Sequence, residues 1–160
     1  YFGAKLEAER SIAGSGLPYS ILRATQFHDL LFKVAEGMAK LPVIPAPSFR
    51  FQPIDPDEVA ARLVELALGE PAGRVADMGG PSVYTLKELV RSYLRATGRR
   101  RLIVPERMPG KAARAFAAGA NLAPSRAVGR RTWEAFLAER TGVPTGQADR
   151  PRRAGRARAA

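Results

Sequence analysis

The sequence predicts an α/β fold whose strands run mostly parallel. Segments of helical periodicity alternate with short apolar runs in the order α-β-α-β-α-β-α-β-α-α, an alternation that favours helices packed on a largely parallel sheet. Two of the helices carry full N-terminal capping grammar, at Asp55 and at Thr85. The length, 160 residues with 46% hydrophobic and 26% charged content, suits one domain with a sizeable core.

Taken in order, residues 1–15 place Phe2, Leu6 and Ile12 at helical spacing and end at the "GSG" of 14–16, a helix stop. The run from Tyr19 to Leu22 follows a Gly/Pro turn and reads as a buried strand. Residues 26–40 form an amphipathic helix with Phe27, Leu30, Leu31, Val34 and Met38 on one side. The proline-rich stretch 41–54 can hold only short, edge-like strands. A helix over 55–71 follows, with Asp55 as N-cap, Pro56 in the first position and Glu58 at the capping-box site. Its buried face is expected to be Val59, Leu63, Leu66 and Ala67, and Gly69 ends it. Residues 74–80 read as a strand and turn. Residues 85–98 repeat the helix grammar, with Thr85 and Glu88 as the box, and 101–105 form another strand. The region 109–139 is helical in two pieces broken around 121–125, with Thr132 capping the second. Residues 143–160 lose their apolar content and read as a disordered, arginine-rich tail beyond a folded unit of residues 1–142.

Composition removes several kinds of chemistry. There are no cysteines and a single histidine, His28, which excludes disulfides, thiolate nucleophiles and multi-histidine metal centres. No run of eighteen apolar residues exists to span a membrane. No secretory signal pattern opens the chain, so a cytoplasmic location is the default expectation. Without an initiator methionine, the chain reads as a fragment that starts inside a motif. The net charge of +11 raises nucleic acid as a partner. The charge is spread along the body and tail, however, and no aromatic residues interleave with it, so no specific nucleic-acid role is expected.

The residues that carry chemistry open the chain. Tyr1 and Lys5 in "YFGAK" stand one helical turn apart. A phenol titrates near about 10, too high for efficient proton transfer at neutral pH. A lysine ammonium one turn away favours the phenolate and lowers that value. The pattern is common by chance, so its weight depends on what surrounds it.

The surroundings are "YFGAKLEAERSIAGSGLPYSILRATQFHD", then "FQPIDPDEVA", "GGPSVYTLKELV" and "GRRTWEAFL". As a set they resemble the extended and atypical short-chain dehydrogenase/reductase superfamily, in particular its NmrA-like, NAD(P)H-binding branch, over residues 1–140. The resemblance implies the C-terminal half of a Rossmann-type fold with a small, mostly helical substrate-binding part. It implies NAD or NADP as cofactor and a small-molecule substrate, with the phosphate-binding loop upstream of Tyr1. Tyr1 would be the proton donor or acceptor, and Lys5 would bind the nicotinamide ribose and depress the Tyr1 pKa. Ala24, Thr25, Gln26 and Phe27 would pass the nicotinamide, with Gln26 as the polar contact and Phe27 as a wall. Ala24 stands where that branch usually has proline, which leaves the loop less rigid.

His28 follows that loop. It either faces the substrate beside Phe27 or is a partly exposed histidine at a helix start. Asp55, Asp57 and Glu58 are explained by capping, Gly79–Gly80 by a turn, Trp133 and Phe136 by packing, and Arg130 and Arg131 by a solvated helix start. Three functions share such a fold: an NAD(P)-dependent oxidoreductase acting on a carbonyl or alcohol, a non-catalytic NAD(P)H-binding redox sensor, and a sugar-nucleotide epimerase-like isomerase. Fold alone does not separate them, because function lies in the site.

Overall fold

Capping chemistry sets the helix starts. In the computed structural model, which describes residues 2–143, the helices are α1 (Phe2–Ala13), α2 (His28–Met38), α3 (Pro56–Leu68), α4 (Leu86–Ala96), α5 (Lys111–Ala118) and α6 (Trp133–Thr141). Asp55 accepts the Asp57 N–H at 2.9 Å with Pro56 in the first turn of α3. At α4 the Thr85–Glu88 capping box is complete, and at α6 Thr132 accepts the Ala135 N–H at 3.2 Å. Glu58 departs from the expected box. Its carboxylate accepts the N–H groups of Arg130 and Arg131 at 3.0 and 3.2 Å, so it ties α3 to the approach of α6.

Among the described residues, six short strands lie between the helices, singly or in consecutive pairs: β1 (Ser20–Ile21), β2 (Val43–Pro47), β3 (Arg50–Phe51), β4 (Gly73–Arg74), β5 (Tyr84–Thr85) and β6 (Leu102–Glu106). They pair as three two-stranded sheets, β1–β4 and β2–β6 parallel and β3–β5 antiparallel. The β2–β6 ladder is the longest and runs from Val43 opposite Leu102 to Pro47 opposite Glu106. Pro45, Pro47 and Pro105 bring no N–H to it, which suits strands that pair on one side only. Isolated parallel bridges continue the strand line past β1, joining Ala24 to Met78 and Phe27 to Ile54. The mixed α/β class with parallel pairing is as expected. The antiparallel β3–β5 pair was not, since its two-residue strands leave no periodicity to read.

The core sits where α2, α4 and α6 meet β2. Trp133, Leu89, Val90 and Ile44 are fully buried there, with Leu31, Tyr93, Phe136 and Leu137 beside them. The Trp133 indole N–H donates to Ser92 Oγ at 2.8 Å, so the largest side chain in the core leaves no donor unpaired. The expected faces of α2 and α3 need correction. On α2 the buried stripe is His28, Leu31 and Ala35, while Phe27, Leu30 and Val34 are exposed. On α3 only Val59 is buried, and Leu63 and Leu68 face solvent. On α1 no described side chain is buried; Leu6 and Ile12 are each 45% exposed.

Gly79 and Gly80 are more than a turn. A Cβ on Gly80 would lie 1.6 Å from the Pro53 carbonyl oxygen, and one on Gly79 would lie 2.5 Å from Gln52 Nε2. Both positions let the 78–80 segment press against the backbone that leads into α3.

Candidate functional site

A cleft of about 410 Å³ opens between α1, the end of the β1 segment and the loop after α5. Lys5, Leu6 and Glu9 of α1 form one wall and Leu22–Gln26 another, with Asp77 and residues 120–123 closing it. Helical spacing explains why Lys5 and Glu9 share a wall: residues four apart lie on one face. Arg23 grips Glu9 with two hydrogen bonds, Nε to Oε1 at 2.8 Å and Nη2 to Oε2 at 2.5 Å. This fork fixes α1 to the strand end, and the Arg23 hydrogen bond holds the Glu9 carboxyl below its usual range.

Behind the cleft, a buried amide organises the loops. Gln52 is fully buried. Its Nε2 donates to Gly80 O at 2.8 Å and to Ala123 O at 3.3 Å, and its Oε1 accepts the Ala123 N–H at 2.8 Å. Thr25 Oγ1 donates to the Gln52 carbonyl at 2.5 Å. Gln26 spans the gap: its Oε1 accepts the Gln52 N–H at 3.1 Å, and its Nε2 donates to Asn121 O at 2.9 Å. Asn121 in turn donates to Arg50 O at 2.8 Å. Together these bonds hold residues 121–123 over the 24–26 segment and set the shape of the cleft.

Of the residues singled out in the sequence, the cleft brings together Lys5, Ala24, Thr25 and Gln26. Tyr1 lies outside the described residues, as does the arginine-rich stretch 144–160. Gln26 lines the cleft, but both ends of its carboxamide are bound to protein, so it shapes the wall where a direct polar contact was expected. Phe27 is 41% exposed and is not part of the cleft lining.

His28 is neither in the cleft nor partly exposed. It is completely buried, stacked on Phe136 with ring centroids 5.0 Å apart and planes 13° apart, with Trp133 at 6.2 Å. Among the described residues, neither ring nitrogen has a hydrogen-bond partner. Burial pushes its pKa below the ordinary value, with Asp55 pulling the other way. The physical reason for the misreading is the α2 face: the buried stripe runs through position 28 rather than 27. Arg131 is likewise no solvated helix start. It pairs with the buried Asp55 at 2.6 Å, also bonds Glu139, and lies over the Phe136 ring at 5.2 Å. Burial raises the Asp55 pKa, but the Arg131 and Asp57 hydrogen bonds outweigh it and leave the carboxyl below its usual range. Gln52 is the residue that sequence reasoning missed. Its only signal is a polar amide set between Phe51 and Pro53 in an otherwise apolar stretch.

No protein-family model and no curated protein matches the chain. Solved structures do. A nucleoside-diphosphate-sugar epimerase from Staphylococcus aureus is similar with a TM-score of 0.62 at 18% identity, over 82% of this chain and 56% of that one. An NADPH-dependent quinone oxidoreductase from Escherichia coli is similar with a TM-score of 0.65 at 16% identity, over 84% and 59%. A dTDP-glucose 4,6-dehydratase from Streptomyces venezuelae, solved with NAD bound, is similar with a TM-score of 0.53 at 17% identity, over 88% and 48%. The chain spans between about half and three-fifths of each of these structures. At such identities the likeness is one of fold, and the fold of this chain is Rossmann-like α/β.

Proposed function

We propose that this chain is the substrate-side part of an NAD(P)-dependent oxidoreductase of the atypical short-chain class, NmrA-like in its branch, acting on a carbonyl or alcohol carbon of a small molecule. The observation that carries the reading is the meeting of Lys5 with the 24–26 segment across one cleft. The fold shared with an NADPH-dependent oxidoreductase and with a dehydratase solved with NAD bound supports it.

The residues present fit a nicotinamide riboside. The cleft is of ligand size, Lys5 brings a cationic donor to its wall, and the 24–26 wall is held rigid from behind by Gln52. When bound, the nicotinamide supplies or accepts the hydride. Lys5 would donate to the ribose hydroxyls and would favour the Tyr1 phenolate by its charge. Tyr1, four residues before Lys5 in the sequence, would give a proton to the substrate oxygen in reduction or take it in oxidation. Gln26 and Thr25 hold the wall that would face the nicotinamide. The phosphate-binding elements belong, in this reading, to sequence outside the 160 residues, so these residues alone are expected to give no dinucleotide response in a fluorescence titration.

A test is Lys5→Met in the intact protein. The expected result is weaker cofactor affinity together with an alkaline shift of the pH–rate profile, because the phenol loses its neighbouring charge. Unchanged affinity and an unchanged profile would remove Lys5 from the site.

A further inference from the structure

His28 is the one histidine of the chain, and the fold encloses it completely. A neutral imidazole carries one donor and one acceptor nitrogen, and among the described residues neither finds a partner. The ring opens α2 and is covered by α6, with Phe136 stacked on it at 5.0 Å and Trp133 at 6.2 Å. The charged groups that face it are Asp29, Asp55, Glu58 and Arg131, and each is engaged elsewhere. On α2 itself, Asp29 pairs with Arg140 at 3.8 Å. From the start of α3, Asp55 holds Arg131 at 2.6 Å and the Asp57 N–H at 2.9 Å. Glu58 accepts the N–H groups of Arg130 and Arg131. From the α6 side, Arg131 also bonds Glu139 and lies over the Phe136 ring. A proton on His28 would therefore leave a desolvated cation with two unmet donors in the neighbourhood of Arg131.

Lifting α6 would let water reach those donors, and it need not take the core apart. Of the twelve buried residues in the core cluster, only Trp133, Phe136 and Leu137 lie on α6; the other nine lie on α2, its C-cap Ala39, β2 and α4. We propose that α6 is an acid-released latch: proton uptake by His28 opens α6 away from α2 and α4, while those two helices stay packed on β2. Bonds outside α6 set the boundary of the opening. Gly79 O accepts the Gly129 N–H at 3.0 Å, and the Gly79 N–H donates to Arg126 O at 2.8 Å. They hold the chain as far as Gly129, and with it the 121–123 wall of the cleft. The sign follows from linkage. Burial holds the ring's pKa below its ordinary value, so the closed form is fully favoured above about 6.5 and loses ground as pH falls from there toward the folded value. Each pH unit in that window raises the opening constant by about tenfold, and the ceiling between pH 7.5 and 5.0 is about thirtyfold.

The test is native-state hydrogen exchange on the full chain at pH 7.5 and 5.0, corrected for intrinsic exchange rates. Wild type is compared with His28→Phe and His28→Leu, whose apolar side chains fill the site and take no proton. In wild type the opening constant of α6 amides should rise by about fivefold or more, within the thirtyfold ceiling. In the variants it should rise by less than about twofold. The α6 amides should also be less protected than those of α4 at both pH values. No rise in wild type, or an equal rise in the variants, would overturn the proposal, the latter by assigning the effect to Asp29, Asp55 or Glu58. Equal protection in α6 and α4 would make the opening global and overturn the latch. The single histidine provides a check that needs no variant. Its ring signal in NMR spectra of the folded wild type should titrate below the ordinary value of about 6.5; titration at that value would overturn the proposal.

Discussion

The two sides of this molecule are held together by different forces. On one side, α2, α4 and α6 close over β2 and bury Trp133, Leu89, Val90 and Ile44 completely. On the other, α1 buries none of its described side chains and α3 buries only Val59. The cleft side is instead fixed by directed polar bonds: the Glu9–Arg23 fork, the Gln52 hub and the Gln26 bridge. Apolar burial is non-directional and roughly proportional to area, so the helical side is expected to dominate global stability. Hydrogen bonds are worth less each but fix geometry, so the cleft side is expected to dominate site shape. Substitutions on the two sides should therefore separate stability from function.

The largest effect should come from the helical side. Trp133→Ala removes the biggest fully buried side chain and is expected to destabilise by about 3–5 kcal/mol, lowering Tm by roughly 10 °C for a chain of this length. Thermal unfolding followed by circular dichroism measures it, and a shift of only a degree or two would mean that the α4–α6 contact is not the main stabiliser. Gln52→Leu comes next, at about 2 kcal/mol, because it leaves the Ala123 N–H and the carbonyls of Gly80 and Ala123 without their partner. Here the local readout matters more. Hydrogen exchange should quicken over residues 120–126, while protection in α4 changes only with the global stability.

His28 sharpens the contrast through pH. Its folded pKa lies below its unfolded value, because burial disfavours the charged ring. Its contribution is therefore fully present above the unfolded value of about 6.5 and is lost as pH falls from there toward the folded pKa. The charges facing it are Asp55, Arg131, Glu58 and Asp29. Urea unfolding at pH 7.5 and 5.5 should show a decline that is clearly smaller in His28→Phe; equal declines would assign the pH effect to other groups. The smallest effect should be on α1, where Leu6→Ser with Ile12→Ser is expected to change stability by no more than about 0.5 kcal/mol per site. A loss of several kcal/mol would mean that α1 packs more closely than its exposure indicates.

The same division explains what the sequence made legible. Helix starts are local chemistry, so Asp55, Thr85 and Thr132 could be identified as caps from a few neighbouring residues. The Lys5 and 24–26 components of the cleft were legible from motif company. Gln52 was not, because its partners Gly80 and Ala123 lie 28 and 71 residues away. His28 was misread because whether a residue at a helix start is buried depends on α6, more than a hundred residues later. The buried face of α3 was overcalled because its amphipathic pattern fits a core that the described residues do not build against it.

The central proposal is that Tyr1, which precedes Lys5 by four residues in the sequence, handles a proton. The most direct measurement is turnover of the intact protein with Tyr1→Phe, a change that removes one oxygen and keeps the ring. Loss of a general acid–base group is expected to lower kcat by about 10²–10⁴-fold with cofactor affinity little changed. Turnover unchanged for every accepted substrate would contradict the claim and leave the cleft as a binding site without this chemistry.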